Sequence, residues 1–264
     1  MVEPVVDQRP ETPPGLDLGG SVFLIAGAGG GIGRAVTQLL SIRGASLVCA
    51  DVDEEACERA VDKAVEAGGS AVAVVMDAQD PVQATSAVSI ALSRWNRLTG
   101  LVNCVGITGE TGINSEDVSL DDFRRVLEIN LIGAFVLSQA VLGALREAGY
   151  GRILHIASIA GKDGNAGMVS YSASKAGLIG MVKSMGKEYA QEGITVNALA
   201  PAVIWTPMVE AMPQSQVDYM TQRIPMGRLG RLEEVAEMAA WIVSPAASFT
   251  TGFTFDLTGG RATY

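Results

Sequence analysis

Short apolar runs, each closed by glycine or a polar residue, alternate along the chain with longer stretches whose apolar side chains recur every three or four positions. The first pattern marks a strand buried on both faces, and the second marks a helix with one buried stripe. Residues 21–25 (SVFLI) therefore predict a strand. Ala35, Val36, Leu39 and Leu40 then recur at helical spacing as far as Gly44, and residues 46–50 predict a second strand. Ala56, Ala60, Val61, Ala64 and Val65 share one face of a helix over 54–67, Gly68 and Gly69 stop it, and 71–76 (AVAVVM) is a third strand. Asp80 and Pro81 supply a cap and a first-turn proline for a helix reaching about Trp95. Strands over 101–105, 153–157, 195–199 and 253–256 follow. Helices over 119–147, 170–191 and 231–243 lie between them, the first opened by Ser119 with Asp122 three positions on. Residues 200 to about 230 read as irregular.

Strands that alternate with helices imply a mostly parallel sheet covered on both faces and joined by right-handed crossovers. No internal linker or repeat interrupts the alternation, so the expectation is one α/β domain over 19–264, preceded by a flexible Pro-rich arm over 1–18. Composition agrees: 48% of residues are hydrophobic and 18% charged, enough for a core and too little polarity for disorder. With 19 basic against 29 acidic side chains the formal charge is −10, which argues against a nucleic-acid partner. Cys49, Cys57 and Cys104 lack metal-site spacing and are an odd number, so they are expected to be reduced core residues and no metal is expected. Neither a basic apolar leader nor an uninterrupted membrane-length apolar run is present, which makes the expected location cytoplasmic and the expected membrane partner none.

The first candidate chemistry follows the first strand directly. In AGAGGGIGRA, Gly27, Gly31 and Gly33 have the spacing G-x-x-x-G-x-G, with Gly30 and Ile32 between them. Between a buried strand and a helix start, such a loop lets backbone amides and the helix dipole meet a pyrophosphate. Asp51 ends the second strand, where a carboxylate accepts hydrogen bonds from an adenosine ribose, or else serves as a cap or a solvated loop acid. The acid predicts NAD(H) over NADP(H), because a 2′-phosphate would be repelled and neither Gly30 nor Val52 supplies a cation. Asp77, followed by Ala78, ends the third strand on the adenine side, and Asn103 and Gly106 follow the fourth on the same crevice edge.

Tyr171 and Lys175, four residues apart in YSASK, share a helical face, and Ser158 ends the strand RILHIAS at the ligand-binding sheet edge. A phenol that titrates near 10 needs adjacent positive charge to act as a base at neutral pH; Lys175 supplies one such charge, and the nicotinamide ring of an oxidised cofactor would supply another. Together with the glycine loop, Asn103–Gly106 and Asn130, this ordered set resembles the short-chain dehydrogenase/reductase family over almost all of residues 20–260. The resemblance implies a Rossmann-type doubly wound sheet of about seven strands and a homotetramer. It also implies that Tyr171 is the general acid/base, Ser158 polarises the substrate oxygen, and Lys175 lowers the tyrosine pKa and bonds the nicotinamide ribose. Asn130 would hold a water of the proton relay; as a residue, it reads equally as a buried asparagine at a helix kink. Pro201, Ile204 and Thr206, within PAVIWTPM, would wrap the carboxamide, and a substrate lid would follow near 206–228. Three departures from the family pattern are Ala26 for threonine, Cys104-Val105 for Asn-Ala, and Ala202 for glycine after Pro201.

The implied reaction interconverts a secondary alcohol and a ketone by hydride transfer with NAD. Residues after strands four to six should line the small-molecule pocket, with Asn165 and Trp205 among them. Lys162 reads either as a solvated loop cation or as a partner for a substrate carboxylate. The stretch IAGKDGNAGMVSYSASKAG and the ending TGGRATY resemble bacterial 2-keto-3-deoxy-aldonate dehydrogenases, enzymes of sugar-acid breakdown. Reduction of a 3-oxoacyl thioester with NADPH is the competing reading, against which Asp51 and the negative charge both count. A non-catalytic NAD-sensing scaffold is the reading from another class. His155, the single histidine, lies mid-strand among Ile153, Leu154 and Ile156 and is assigned no catalytic role.

Overall fold

The computed structural model describes residues 16–264, so the expected arm falls outside the described residues as far as residue 15. Its last expected position, Leu18, is buried and donates its N–H to the Arg43 carbonyl at 2.8 Å. Seven strands form one parallel sheet: β1 (Val22–Ala26), β2 (Ser46–Asp51), β3 (Ser70–Val75), β4 (Gly100–Asn103), β5 (Gly151–Ile156), β6 (Ile194–Pro201) and β7 (Thr254–Leu257). Their order is β3-β2-β1-β4-β5-β6-β7. Every strand foreseen from the sequence is present, with ends shifted by one or two residues.

The apolar runs face both ways because helices cover both faces. Leu24 and Ala26 of β1 pack with Ala87 of α3 (Pro81–Trp95), Leu137 of α5 (Gly133–Ala148) and Leu178 of α7 (Val169–Glu188). Phe23 and Ile25 pack on the other side with Val36 of α1 (Gly31–Ile42), Ala60 of α2 (Glu54–Glu66) and Val235 of α10 (Leu232–Ile242). Asp53 caps α2 through the Ala56 N–H at 3.0 Å, and Asp80 caps α3 through Val82 at 2.8 Å. Each satisfies an amide that the first helical turn leaves unpaired.

Two parts of the chain differ from expectation. The single helix over 119–147 is instead α4 (Leu120–Leu127), a π turn over Glu128–Ile132, and α5. The wide turn surrounds Asn130, whose side chain leaves the helix to bond Ile107 and Ser174. By length and composition residues 120–148 would suffice to cross a membrane, yet Leu137, Val141 and Leu145 along them are core residues. The stretch read as irregular holds two short helices, α8 (Pro207–Glu210) and α9 (Gln214–Gln222), which with Ile224 and Leu229 bury Val209 and Val217 in a small core of their own. Helices this short show too few turns for a hydrophobic period to emerge. A four-residue helix, α6 (Ala160–Asp163), also follows β5 unannounced.

His155 is completely enclosed in β5. Burial, aided by the nearby Lys175 ammonium, pushes its pKa down from the ordinary 6.5 to about 3. Below pH 6.5 the unfolded chain takes up a proton that the folded chain refuses, so stability falls as pH drops through that window, by about 1.4 kcal/mol per unit. Urea unfolding is expected to lose about 2 kcal/mol between pH 6.5 and about pH 5, above the range where the carboxylates titrate. A flat profile there would mean that the imidazole is open to protons.

Candidate active site

The strand order reverses between β1 and β4, and a crevice opens beyond their carboxyl ends. Its first wall is the loop from β1 to α1. Gly27 has φ +75°, and a Cβ there would meet the Cys104–Val105 peptide at 2.9 Å. A Cβ on Gly33 would lie 2.0 Å from the Gly27 carbonyl oxygen, so the helix sits on its own loop. Gly31 is different, since its nearest outside neighbours, Leu232 and Thr206, would be 3.7 Å from a Cβ. The first turn of α1 carries no acidic side chain, and Gly30 offers no side-chain cap, so its leading amides are left for a ligand.

A cavity of about 430 Å³ continues from this loop along the ends of β2 and β3, lined by Gly27, Gly30, Asp51, Asp77, Ala78 and Gly106 among others. Asp51 Oδ2 accepts the Gly29 N–H at 2.9 Å and Oδ1 the Asp53 N–H at 3.2 Å. The carboxylate thus shapes the turn while Asp53, not Asp51, caps α2, and it still lines the cavity with acceptor capacity remaining. Asp77 accepts the Gln79 N–H at 2.9 Å in a similar turn. No lysine or arginine lines this cavity among the described residues. Met76, Gln79 and Ile129, not foreseen as site residues, also line it; Met76 directly follows β3, which was the available signal.

The second part of the crevice, about 320 Å³, shares Cys104, Gly106 and Ile107 with the first. Ser158, Tyr171 and Lys175 converge here with Ile32, Pro201, Ile204 and Thr206. Lys175, 3% exposed, donates from Nζ to the Ile156 carbonyl at 2.7 Å and lies 5.7 Å from the Tyr171 ring centre. Burial lowers its pKa to about 8. Burial also raises the Tyr171 phenol above its usual range, while its hydrogen bond with Ser158 pulls the other way. Burial thus opposes formation of the phenolate, which leaves a role for the second positive charge foreseen beside that of Lys175, the ring of an oxidised nicotinamide. Ser158 Oγ accepts the Ala160 N–H at 3.1 Å, which fixes the hydroxyl at the start of α6. The residues fit a dinucleotide: amides for a pyrophosphate, an acid for a ribose, and the Ser-Tyr-Lys cluster at the far end.

Several foreseen residues stand elsewhere. Asn103 is buried, with its amide held by His155 and Val105, and lines neither cavity. Asn130 is 1% exposed and uses its side chain on Ile107 N at 2.8 Å, Ile107 O at 2.9 Å and Ser174 Oγ at 2.9 Å; the kink reading of this residue describes its side chain. Lys162 is neither solvated nor aimed at a substrate. Its ammonium is buried against Asp256 at 2.9 Å, because the C-terminal segment folds over it. Asn165 Oδ1 accepts from Arg261 at 2.7 Å and borders a separate hollow with Asn114 and Ser172. Trp205 is 45% exposed beside the crevice and lines neither part of it. Ala202 has no positive φ, which explains how it replaces glycine.

A family profile described as Enoyl-(Acyl carrier protein) reductase matches residues 27–261. The chain is 40% identical over 246 residues to a 2-dehydro-3-deoxy-L-rhamnonate dehydrogenase (NAD(+)) of Sphingomonas sp. (strain SKA58), covering 93% of this chain and 96% of that one. It is 36% identical over 243 residues to the 3-oxoacyl-(acyl-carrier-protein) reductase FabG of Thermotoga maritima, covering 92% and 98%. Among solved structures, an NAD⁺-bound xylitol dehydrogenase superposes with a TM-score of 0.88 at 30% identity, covering 92% of this chain and 99% of that one. With the glycine loop, the crevice and the Ser158, Tyr171 and Lys175 cluster in place, these likenesses establish that the chain belongs to the short-chain dehydrogenase/reductase family.

Proposed function

We propose that the protein is an NAD-dependent dehydrogenase that interconverts a secondary alcohol and a ketone on a hydroxylated sugar acid of the 2-keto-3-deoxy-aldonate type. The observation that carries the reaction class is the convergence of Ser158, Tyr171 and Lys175 in the half of the crevice beyond the glycine loop. A nicotinamide held by Ile32, Pro201, Ile204 and Thr206 would supply hydride acceptance and, when oxidised, positive charge to this half of the crevice. Ser158 Oγ orients the substrate oxygen, and Tyr171 Oη takes its proton during oxidation or returns it during reduction. Burial lowers the Lys175 pKa to about 8, still above neutral pH, so the ammonium holds positive potential near the phenol ring. Pro201, Ile204 and Thr206 close the nicotinamide side, and the segment 206–228, with its two short helices, acts as the lid.

The sugar-acid assignment rests on the 40% identity to the rhamnonate-type dehydrogenase. The preference for NAD rests on Asp51 and on the absence of lysine or arginine from the described lining of the adenosine-side cavity. Similarity to 3-oxoacyl reductases supports a second reading, in which the substrate is an acyl-carrier thioester and the cofactor NADPH. The charge of −10 weighs against docking an acidic carrier. An intact proton-transfer cluster weighs against a silent scaffold. In this reading the enzyme is cytoplasmic and works as a homotetramer, with half-exposed Ile132 at the end of the π turn, half-exposed Phe135 on α5 and exposed Phe253 beside β7 as contact candidates.

Tyr171→Phe is expected to lower NAD-linked oxidation by about 10³-fold while NADH binding, followed by fluorescence, stays within a few-fold of wild type. Near-normal turnover in that variant would remove the tyrosine from the mechanism. The wild-type protein is expected to prefer NAD⁺ over NADP⁺ by about 10²-fold in kcat/KM, and Asp51→Ser to erode that ratio at least about tenfold. A panel of aldonates, 2-keto-3-deoxy-aldonates and simple secondary alcohols with NAD⁺, and 3-oxoacyl thioesters with NADPH, identifies the substrate class. Activity confined to the thioesters would overturn both the substrate and the cofactor assignment.

A further inference from the structure

Buried polar groups between the sheet and α5 form one directed chain of hydrogen bonds. At one end Ser138 Oγ donates to the Ala134 carbonyl at 2.7 Å. At the other the Val105 N–H donates to Asn103 Oδ1 at 3.0 Å. His155 stands between them, with Nε2 3.0 Å from Ser138 Oγ and Nδ1 3.2 Å from Asn103 Nδ2. Ser138, His155 and Asn103 are all at most 2% exposed.

The backbone ends leave one consistent arrangement of protons. A carbonyl only accepts, so the single Ser138 proton is committed to Ala134 and the serine oxygen must accept from the ring. An amide N–H only donates, so Val105 fixes Asn103 Oδ1 as the acceptor and turns the Asn103 NH2 toward the ring. His155 must therefore carry its proton on Nε2 and leave Nδ1 bare. The other tautomer sets N–H against N–H at Asn103 and leaves Nε2 with no donor. Flipping the Asn103 amide only moves that clash to Val105. Both ring nitrogens are committed, which leaves the imidazole no part in proton transfer.

The chain ends where the crevice begins. Val105 lines the adenosine-side cavity, and its neighbours Cys104 and Gly106 line both halves. We propose that His155 is a positioning residue for the dinucleotide crevice, acting as a neutral Nε2–H imidazole that ties the turn 103–107 to α5 and so fixes the wall shared by the two cavities. The functional part of this inference rests on the nicotinamide-dinucleotide reading given above. Its structural part does not.

As the chain has one histidine, its ring nitrogens are resolved without ambiguity in a long-range ¹H–¹⁵N spectrum of the full-length labelled protein. The expected spectrum, recorded without cofactor, shows a protonated Nε2 and a bare Nδ1. A protonated Nδ1, or an average of two tautomers, overturns the proposal whatever the substrate proves to be. For the crevice, His155→Leu removes the chain and Ser138→Ala removes only its far acceptor, well away from any ligand contact. The NADH dissociation constant is expected to rise about tenfold in the first, equivalent to one lost buried hydrogen bond, and about threefold in the second. In both, kcat at saturating cofactor is expected to stay within about threefold of wild type, as a positioning role requires. Ser138→Ala keeps the test decisive should His155→Leu fail to fold. Folded variants that bind NADH as tightly as wild type would overturn the proposal.

Discussion

The pairing of β1 with β4 is the constraint on which the molecule depends. Ala26 stands opposite Asn103 at the end of that pairing, and the chain leaves the two strands in opposite directions, toward β2 and β3 on one side and toward β5, β6 and β7 on the other. Right-handed crossovers then carry the connecting helices away from the seam, so none covers it. The seam stays open and becomes the ligand crevice. The glycine loop, the turn after β4 and the end of β5 all meet there because each follows a strand that ends at the same sheet edge.

Burial does two things to the chemistry at that edge, and they oppose each other. It lowers the Lys175 pKa to about 8, close to the point of losing its charge, and it raises that of Tyr171, which makes the phenolate harder to form. The Ile156 carbonyl, 2.7 Å from Nζ, gives the buried ammonium a partner. The crevice is thus poised for a ligand that brings positive charge, and less suited to proton abstraction in its absence. An oxidised nicotinamide, the kind of cofactor this family binds, would have that property.

Much of this was legible in the sequence because it depends on local pattern. Strand runs, the glycine loop, the Tyr171–Lys175 spacing and Asp51 each report a backbone geometry fixed within a few residues. What was not legible depends on contacts distant in sequence. Lys162 looks like a loop cation until Asp256 and the C-terminal turn close over it. Asn103 looks like a crevice residue until His155, in the next strand, claims its amide. Asn130 could be read as a buried asparagine at a helix kink, but not its partners, Ile107 and Ser174, which lie 23 and 44 residues away in sequence. The helices α8 and α9 escaped because each is too short to show a period, and their stability comes from each other's apolar side chains.

The grip of the C-terminal segment on the stretch after Ser158 has a consequence for how the protein comes into being. Lys162 is held by Asp256, Asp163 and Asn165 by Arg261, and the Lys162 carbonyl by the Tyr264 hydroxyl at 2.5 Å. Ser158, Tyr171 and Lys175 leave the ribosome long before those partners do. During synthesis the chain therefore holds its whole reactive cluster while the wall beside it has nothing to lean on. Until Asp256, Arg261 and Tyr264 are made, the stretch just after Ser158 lacks these long-range partners, although Ser158, Tyr171 and Lys175 are already in the chain.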